Sequence, residues 1–123
     1  MKKLIMIIAL FAISRQAHAL SLQQLAGTYK VTTDMAPISN LVSLTSDGAV
    51  TLIETSPDGR IQCEGQAHLG ADRVLTSEVT CTNGLVFVQK INLSKVKALK
   101  SFKAPVYSSL YDAELEMDFV KVK

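Results

Sequence analysis

Few of the residues that carry out chemistry are present. The 123-residue chain has two cysteines and two histidines. A serine triad needs a histidine base beside the nucleophile and an acid to orient it. His18 falls in an N-terminal leader, and His68 stands alone with no Gly-x-Ser-x-Gly near it. A zinc site built from His and Cys needs three or four ligands, and only His68 is left once the cysteines pair. No phosphate loop and no dinucleotide-type glycine fingerprint occurs. Nor is there a run of about 20 apolar residues, the length that spans a bilayer as a helix. Together these absences argue against an enzyme, a bound metal and a cofactor. The acids at 112–118 alternate along a face read as solvent-exposed, unlike the apolar pockets in which carboxylic general acids work.

The longest apolar run, Leu4 to Ile13, lies near the start and follows Lys2 and Lys3. Ala17-His18-Ala19 then gives the small-x-small pattern of a signal-peptidase site. Residues 1–19 therefore read as a cleavable secretory signal, and 20–123 as a single domain in a periplasmic or secreted protein. No cysteine sits near the cut, so no acyl anchor and no stable membrane anchor is expected. Three of the 13 Lys and Arg (Lys2, Lys3, Arg15) lie in the leader, whereas all 11 Asp and Glu follow it, leaving a net charge of −1 on the remainder. Such a balance gives no general attraction to nucleic acid.

Export favours pairing the two cysteines, Cys63 and Cys81, as a structural disulfide. In the chain-entropy model, closing a loop of this size contributes about 3 kcal/mol. A redox or nucleophilic thiol would want a C-x-x-C spacing or a neighbouring histidine.

Turn signals divide the rest. Asp47-Gly48 and Asn83-Gly84 suit type I′ hairpin turns, Pro57-Asp58-Gly59 suits a type I turn with glycine in the left-handed position, and Gly70-Ala71-Asp72 is a looser turn. The intervening runs of Val, Ile, Leu and Thr read as strands near 27–33, 40–46, 49–55, 60–69, 73–82, 85–93 and 111–122. A hairpin turning about Asp72 pairs residues whose numbers sum to 144, which sets Cys63 opposite Cys81. On those two strands Ile61, Cys63, Ala67, Leu69, Leu75, Val79 and Cys81 share one face, and the other face is polar. At 113–119, Ala113, Leu115, Met117 and Phe119 alternate with Glu114, Glu116 and Asp118, as in a half-buried strand. Val96, Leu99 and Phe102 are spaced three apart, which predicts a short amphipathic helix near 94–103. Five lysines (90, 95, 97, 100 and 103) precede four acids at 112–118. They read either as a basic patch for an anionic ligand or as a solvated face set against the acidic strand.

The expected fold is all-β: an antiparallel meander of about seven or eight strands closed into a small barrel, with a β-sandwich as the alternative. Leu25-Ala26-Gly27-Thr28-Tyr29 resembles the start of a lipocalin-type barrel, in which a helical turn leads into Gly-x-Trp on the first strand. Here Tyr29 stands where that family has tryptophan, the chain is short for a lipocalin, and the family's second and third motifs are not evident. The resemblance implies a cup that binds a small apolar molecule. Residues 34–40 would be its mouth loop, with Met35 and Ile38 either as lid residues or as caps on the core. Gly65 and Ala67, on the inner face, either leave room for a ligand or mark a bend. Tyr29, Phe102 and Tyr107 complete the candidate ligand-binding set.

Two functional expectations follow. The first is an exported, non-catalytic binding protein holding a small apolar or lipid-like ligand. The second is a protein-interaction module, such as a hydrolase inhibitor or an envelope accessory factor. An interior cavity of several hundred Å³ would favour the first, and a filled interior with an exposed apolar patch the second.

Overall fold

The computed structural model describes residues 20–33 and 39–123. The leader read at 1–19 and part of the expected mouth loop, including Met35 and Ile38, lie outside the described residues.

A four-residue helix, α1 (Leu22–Leu25), opens the domain. Isolated helices this short do not persist, so local bonds must hold it. Ser21 supplies them through a capping box: its side chain accepts from the Gln24 N–H, and the Gln24 side chain accepts from the Ser21 N–H at 2.9 Å. Leu25 is buried beneath the barrel. The strands follow as β1 (Gly27–Thr32), β2 (Ser39–Leu44), β3 (Ala49–Ser56), β4 (Gly59–Leu69), β5 (Val74–Cys81), β6 (Val86–Asn92), β7 (Ser101–Ser108) and β8 (Ala113–Lys121).

Each strand pairs antiparallel with the next, and β1 pairs with β8, from Tyr29–Lys121 to Thr32–Asp118. The sheet therefore closes on itself as an eight-stranded barrel, and the β-sandwich alternative does not apply. Closure removes the unpaired edges that an open sheet would expose. The register across β4 and β5 runs from Cys63–Cys81 to Leu69–Leu75, the pairing predicted from the Asp72 turn. Alternation decides which side chains point inward. On β5, Leu75, Ser77, Val79 and Cys81 are buried.

Two local expectations are corrected. The first is the helix near 94–103. Residues 93–100 form a loop, and Ser101–Ser108 is strand β7. The three-residue spacing arises because Leu93 and Val96 are buried and Leu99 packs on the core from that loop, whereas Phe102 belongs to the strand. Along β7, Ala104 and Val106 are buried while Lys103 between Phe102 and Ala104 is exposed. The second concerns the turns at Asp47-Gly48 and Asn83-Gly84. Among the described residues only Arg73 and Asp112 are non-glycines at positive φ, which excludes type I′ geometry there. The bonds Gly48 N–H to Thr45 O and Thr45 N–H to Ala49 O define a tight turn followed by a left-handed glycine, and Cys81 to Leu85 repeats the pattern. Gly70 to Val74 has the same bonds with Arg73 in the left-handed place, at φ 64°.

The up-and-down order sends the turns alternately to two ends. One end carries α1, the turns at 45–48 and 70–73, and the loop 93–100. Here the interior is solid. Tyr29, Phe102 and Phe119 form an aromatic cluster, with the two phenylalanine rings stacked at 4.7 Å. The Tyr29 hydroxyl donates to the Leu25 carbonyl at 2.6 Å, tying α1 across the base. Leu93 and Val96 plug the remaining gap and are held by Arg73, whose Nε donates to the Leu93 carbonyl and whose Nη2 donates to that of Val96 at 2.8 Å.

Candidate functional site

Among the described residues the opposite end is open. It is framed by the turns at 57–58, 82–85 and 109–112 and by the ends of β1 and β2. Inside it lies a cavity of about 340 Å³, within the range of small-molecule sites. Leu52, Phe87, Val106 and the Cys63–Cys81 disulfide line it, all buried. Ile61, Leu115 and Met117 form the mid-wall, and Leu85, Leu110 and Tyr111 stand at the rim. Tyr111 is 66% exposed, and Leu85 and Leu110 are each 41% exposed. An apolar rim on two turns is unusual, because turns usually carry polar residues.

The same side-chain types fill one half of the barrel and line the empty half. The difference is how the interior is occupied. At the packed end, α1 and the 93–100 loop bring Leu25, Leu93 and Val96 into the lumen. Among the described residues, no equivalent side chain fills the mouth end.

A few polar groups share the cavity wall. Asn40 and Glu54 are directly opposed on β2 and β3. Gln89 and Ser108 are opposed on β6 and β7. Among the described residues the Asn40 Oδ1 is buried without a hydrogen-bond partner. An unsatisfied buried acceptor costs about 1–3 kcal/mol, and a donor arriving in the cavity would relieve it. Among the described residues Glu54 is the only charged side chain in the lining, and none of them is Lys, Arg or His.

The sequence-predicted residues fall in several places. Cys63 and Cys81 are joined as expected and contribute to the cavity wall. Tyr29 and Phe102 belong to the aromatic cluster at the packed end. Burial there holds the Tyr29 phenol above its ordinary pKa. Ala67 is a fully packed core residue. At Gly65 a Cβ would lie 1.8 Å from the Glu78 carbonyl oxygen, so its hydrogen permits close approach of β5. Tyr107 lies on the outer face in a row with Lys90 and Glu114. Its hydroxyl donates to Asp112 at 2.9 Å, and that bond raises its pKa. None of these five candidates lines the cavity. Apart from Cys63 and Cys81, the residues that do were not among the candidates, and the signal for the rim was the apolar character of Leu85 and Leu110-Tyr111 beside turn residues.

The lysine-rich and acidic segments meet on the outside. Lys103 reaches Asp118 across β7 and β8 at 3.8 Å. His68 is exposed on β4 opposite Thr76. No cluster of three His, Cys, Asp or Glu side chains positioned for metal binding occurs among the described residues. No helix among them is long and apolar enough to cross a membrane.

The chain matches no protein-family model, and no curated protein or solved structure shows significant similarity to it. The functional reading therefore rests on the cavity and its chemistry.

Proposed function

We propose that this chain is an exported, non-catalytic binding protein that holds a small apolar or lipid-like molecule in a lipocalin-like barrel. The observation that carries the reading is the cavity of about 340 Å³ at one end of a barrel whose other end is packed. A one-ended apolar cup with few polar groups suits a ligand that buries a hydrocarbon body and leaves a polar end at the mouth. The helical turn running into Gly27-Thr28-Tyr29 supports the lipocalin-like comparison. Export is supported by the leader pattern at 1–19 and by the disulfide, a bond that persists in oxidising compartments. The reading assigns no catalytic residue, metal or cofactor.

The test is native mass spectrometry of the exported form after gentle purification, followed by titration of the emptied protein with N-phenylnaphthylamine. A stoichiometric small-molecule adduct and saturable dye uptake support the proposal. A clean apo mass with no saturable uptake sinks it. The exposed rim of Leu85, Leu110 and Tyr111 favours a second reading, a protein-interaction module. A stoichiometric protein partner in the same spectrum would support that alternative.

A further inference from the structure

We infer that the cavity selects single-chain amphiphiles whose head group donates hydrogen bonds and carries no negative charge, such as a primary amine or hydroxyl, over carboxylates. This inference rests on the binding reading above and assigns a chemistry to the same site.

Leu52, Phe87, Val106 and the disulfide give the cavity an apolar lining against which a hydrocarbon tail packs. The polar wall lies toward the mouth, on the paired residues Asn40 and Glu54. Both present an acceptor, although the Asn40 amide also carries donors, so the discrimination rests on Glu54. The Asn40 Oδ1 is buried and lacks a donor among the described residues. A carboxylate side chain only accepts when ionised. A head group with N–H or O–H bonds satisfies both residues at once.

An anionic head meets the opposite situation. It would sit beside Glu54 in a partly water-excluded site, where like charges repel more strongly than in bulk water. No lysine, arginine or histidine among the described lining residues offsets that repulsion. Gln89 and Ser108, on the facing wall, can bond to either kind of head group and do not discriminate between them. The negative wall therefore acts by exclusion, the usual route to specificity when the attractive contacts are generic.

The test uses the full chain with N-phenylnaphthylamine bound, displaced at neutral pH by dodecylamine, dodecanol or dodecanoate, which share one tail length. The expected result is that the amine and the alcohol displace the dye at concentrations at least about tenfold lower than dodecanoate. In Glu54→Gln the advantage of the amine over dodecanoate should shrink by about tenfold. Dodecanoate binding as well as the amine overturns the head-group inference and leaves the binding reading standing. Unchanged selectivity in Glu54→Gln also overturns it. Failure of the dye and all three amphiphiles to bind overturns both.

Discussion

Cys63 and Cys81 face each other across β4 and β5 with their Cα atoms 3.9 Å apart, and both line the cavity. The disulfide thus fixes the register of the two strands where the barrel is least filled. Replacing both residues (Cys63→Ala with Cys81→Ala) should lower stability by about 2–5 kcal/mol. Urea unfolding of the two proteins checks this, and coincident midpoints would refute a stabilising role.

Gly65 should resist substitution despite being only half-buried. In Gly65→Ala the new methyl meets the Glu78 carbonyl, which is backbone and cannot swing away. Forced repacking of this kind costs about 1–3 kcal/mol. Thermal unfolding measures the loss, and a neutral result would mean that β4 and β5 separate freely at this point.

Tyr29→Phe removes the hydroxyl that ties α1 to β1. The expected loss is about 0.5–1.5 kcal/mol at neutral pH. Because burial raises the Tyr29 pKa in the folded state, the unfolded chain ionises first. The hydroxyl's contribution is therefore full below about pH 10, the ordinary tyrosine value, and is lost as pH rises through the folded value. Tyr107 is shifted in the same direction, so the informative quantity is the difference between the parent and Tyr29→Phe in urea titrations at rising pH. That difference should shrink only in the alkaline range.

Arg73 holds the basal plug. Arg73→Ala deletes two bonds from a charged donor to the Leu93 and Val96 carbonyls. Bonds to charged groups contribute about 1.5–3 kcal/mol each when buried, and partial exposure here brings the expected total loss to about 1–3 kcal/mol. Hydrogen exchange should report faster opening at Leu93 and Val96 than at Val79 on β5. Uniform acceleration across the barrel would contradict a local role.

Filling the cavity separates binding from folding. Leu115→Trp places a larger side chain in the mid-wall. Uptake of N-phenylnaphthylamine should fall by at least about tenfold, while the unfolding midpoint stays near that of the parent. Undiminished uptake would place the dye outside the cavity.

The architecture was readable largely because two kinds of signal agreed. The strict alternation at 113–119 marked β8, and the symmetric placement of Cys63 and Cys81 about Asp72 matched the observed register of β4 and β5. Strand β7 was hidden by its composition. Ala104 is a small inward residue, and Pro105 cannot supply a ladder N–H. The β6–β7 ladder stops at Ile91–Val106, one residue short of that proline. Adjacent apolar residues from the 93–100 loop then completed a false helical spacing. The candidate site was far less legible. Whether Leu52, Phe87 or Leu115 meets another side chain or empty space depends on what the two ends contribute to the lumen, and no local pattern encodes that. Of the aromatic residues chosen as ligand contacts, Tyr29 and Phe102 were drawn into the packed base, where Tyr29 finds an acceptor in the Leu25 carbonyl, and Tyr107 lies on the outer face.

The pairing of β1 with β8 also orders the assembly of the molecule. Every other ladder joins strands consecutive in the chain, whereas this one joins segments from nearly opposite ends of the described sequence. Contacts so remote lose much chain entropy before any pairing rewards them, which makes them slow to form. The seam is therefore expected to zip up after the consecutive hairpins are in place. Until it does, the intermediate is a curled ribbon with two sticky margins, each able to recruit a neighbouring molecule. Aggregation during refolding should thus depend most steeply on how quickly β8 arrives.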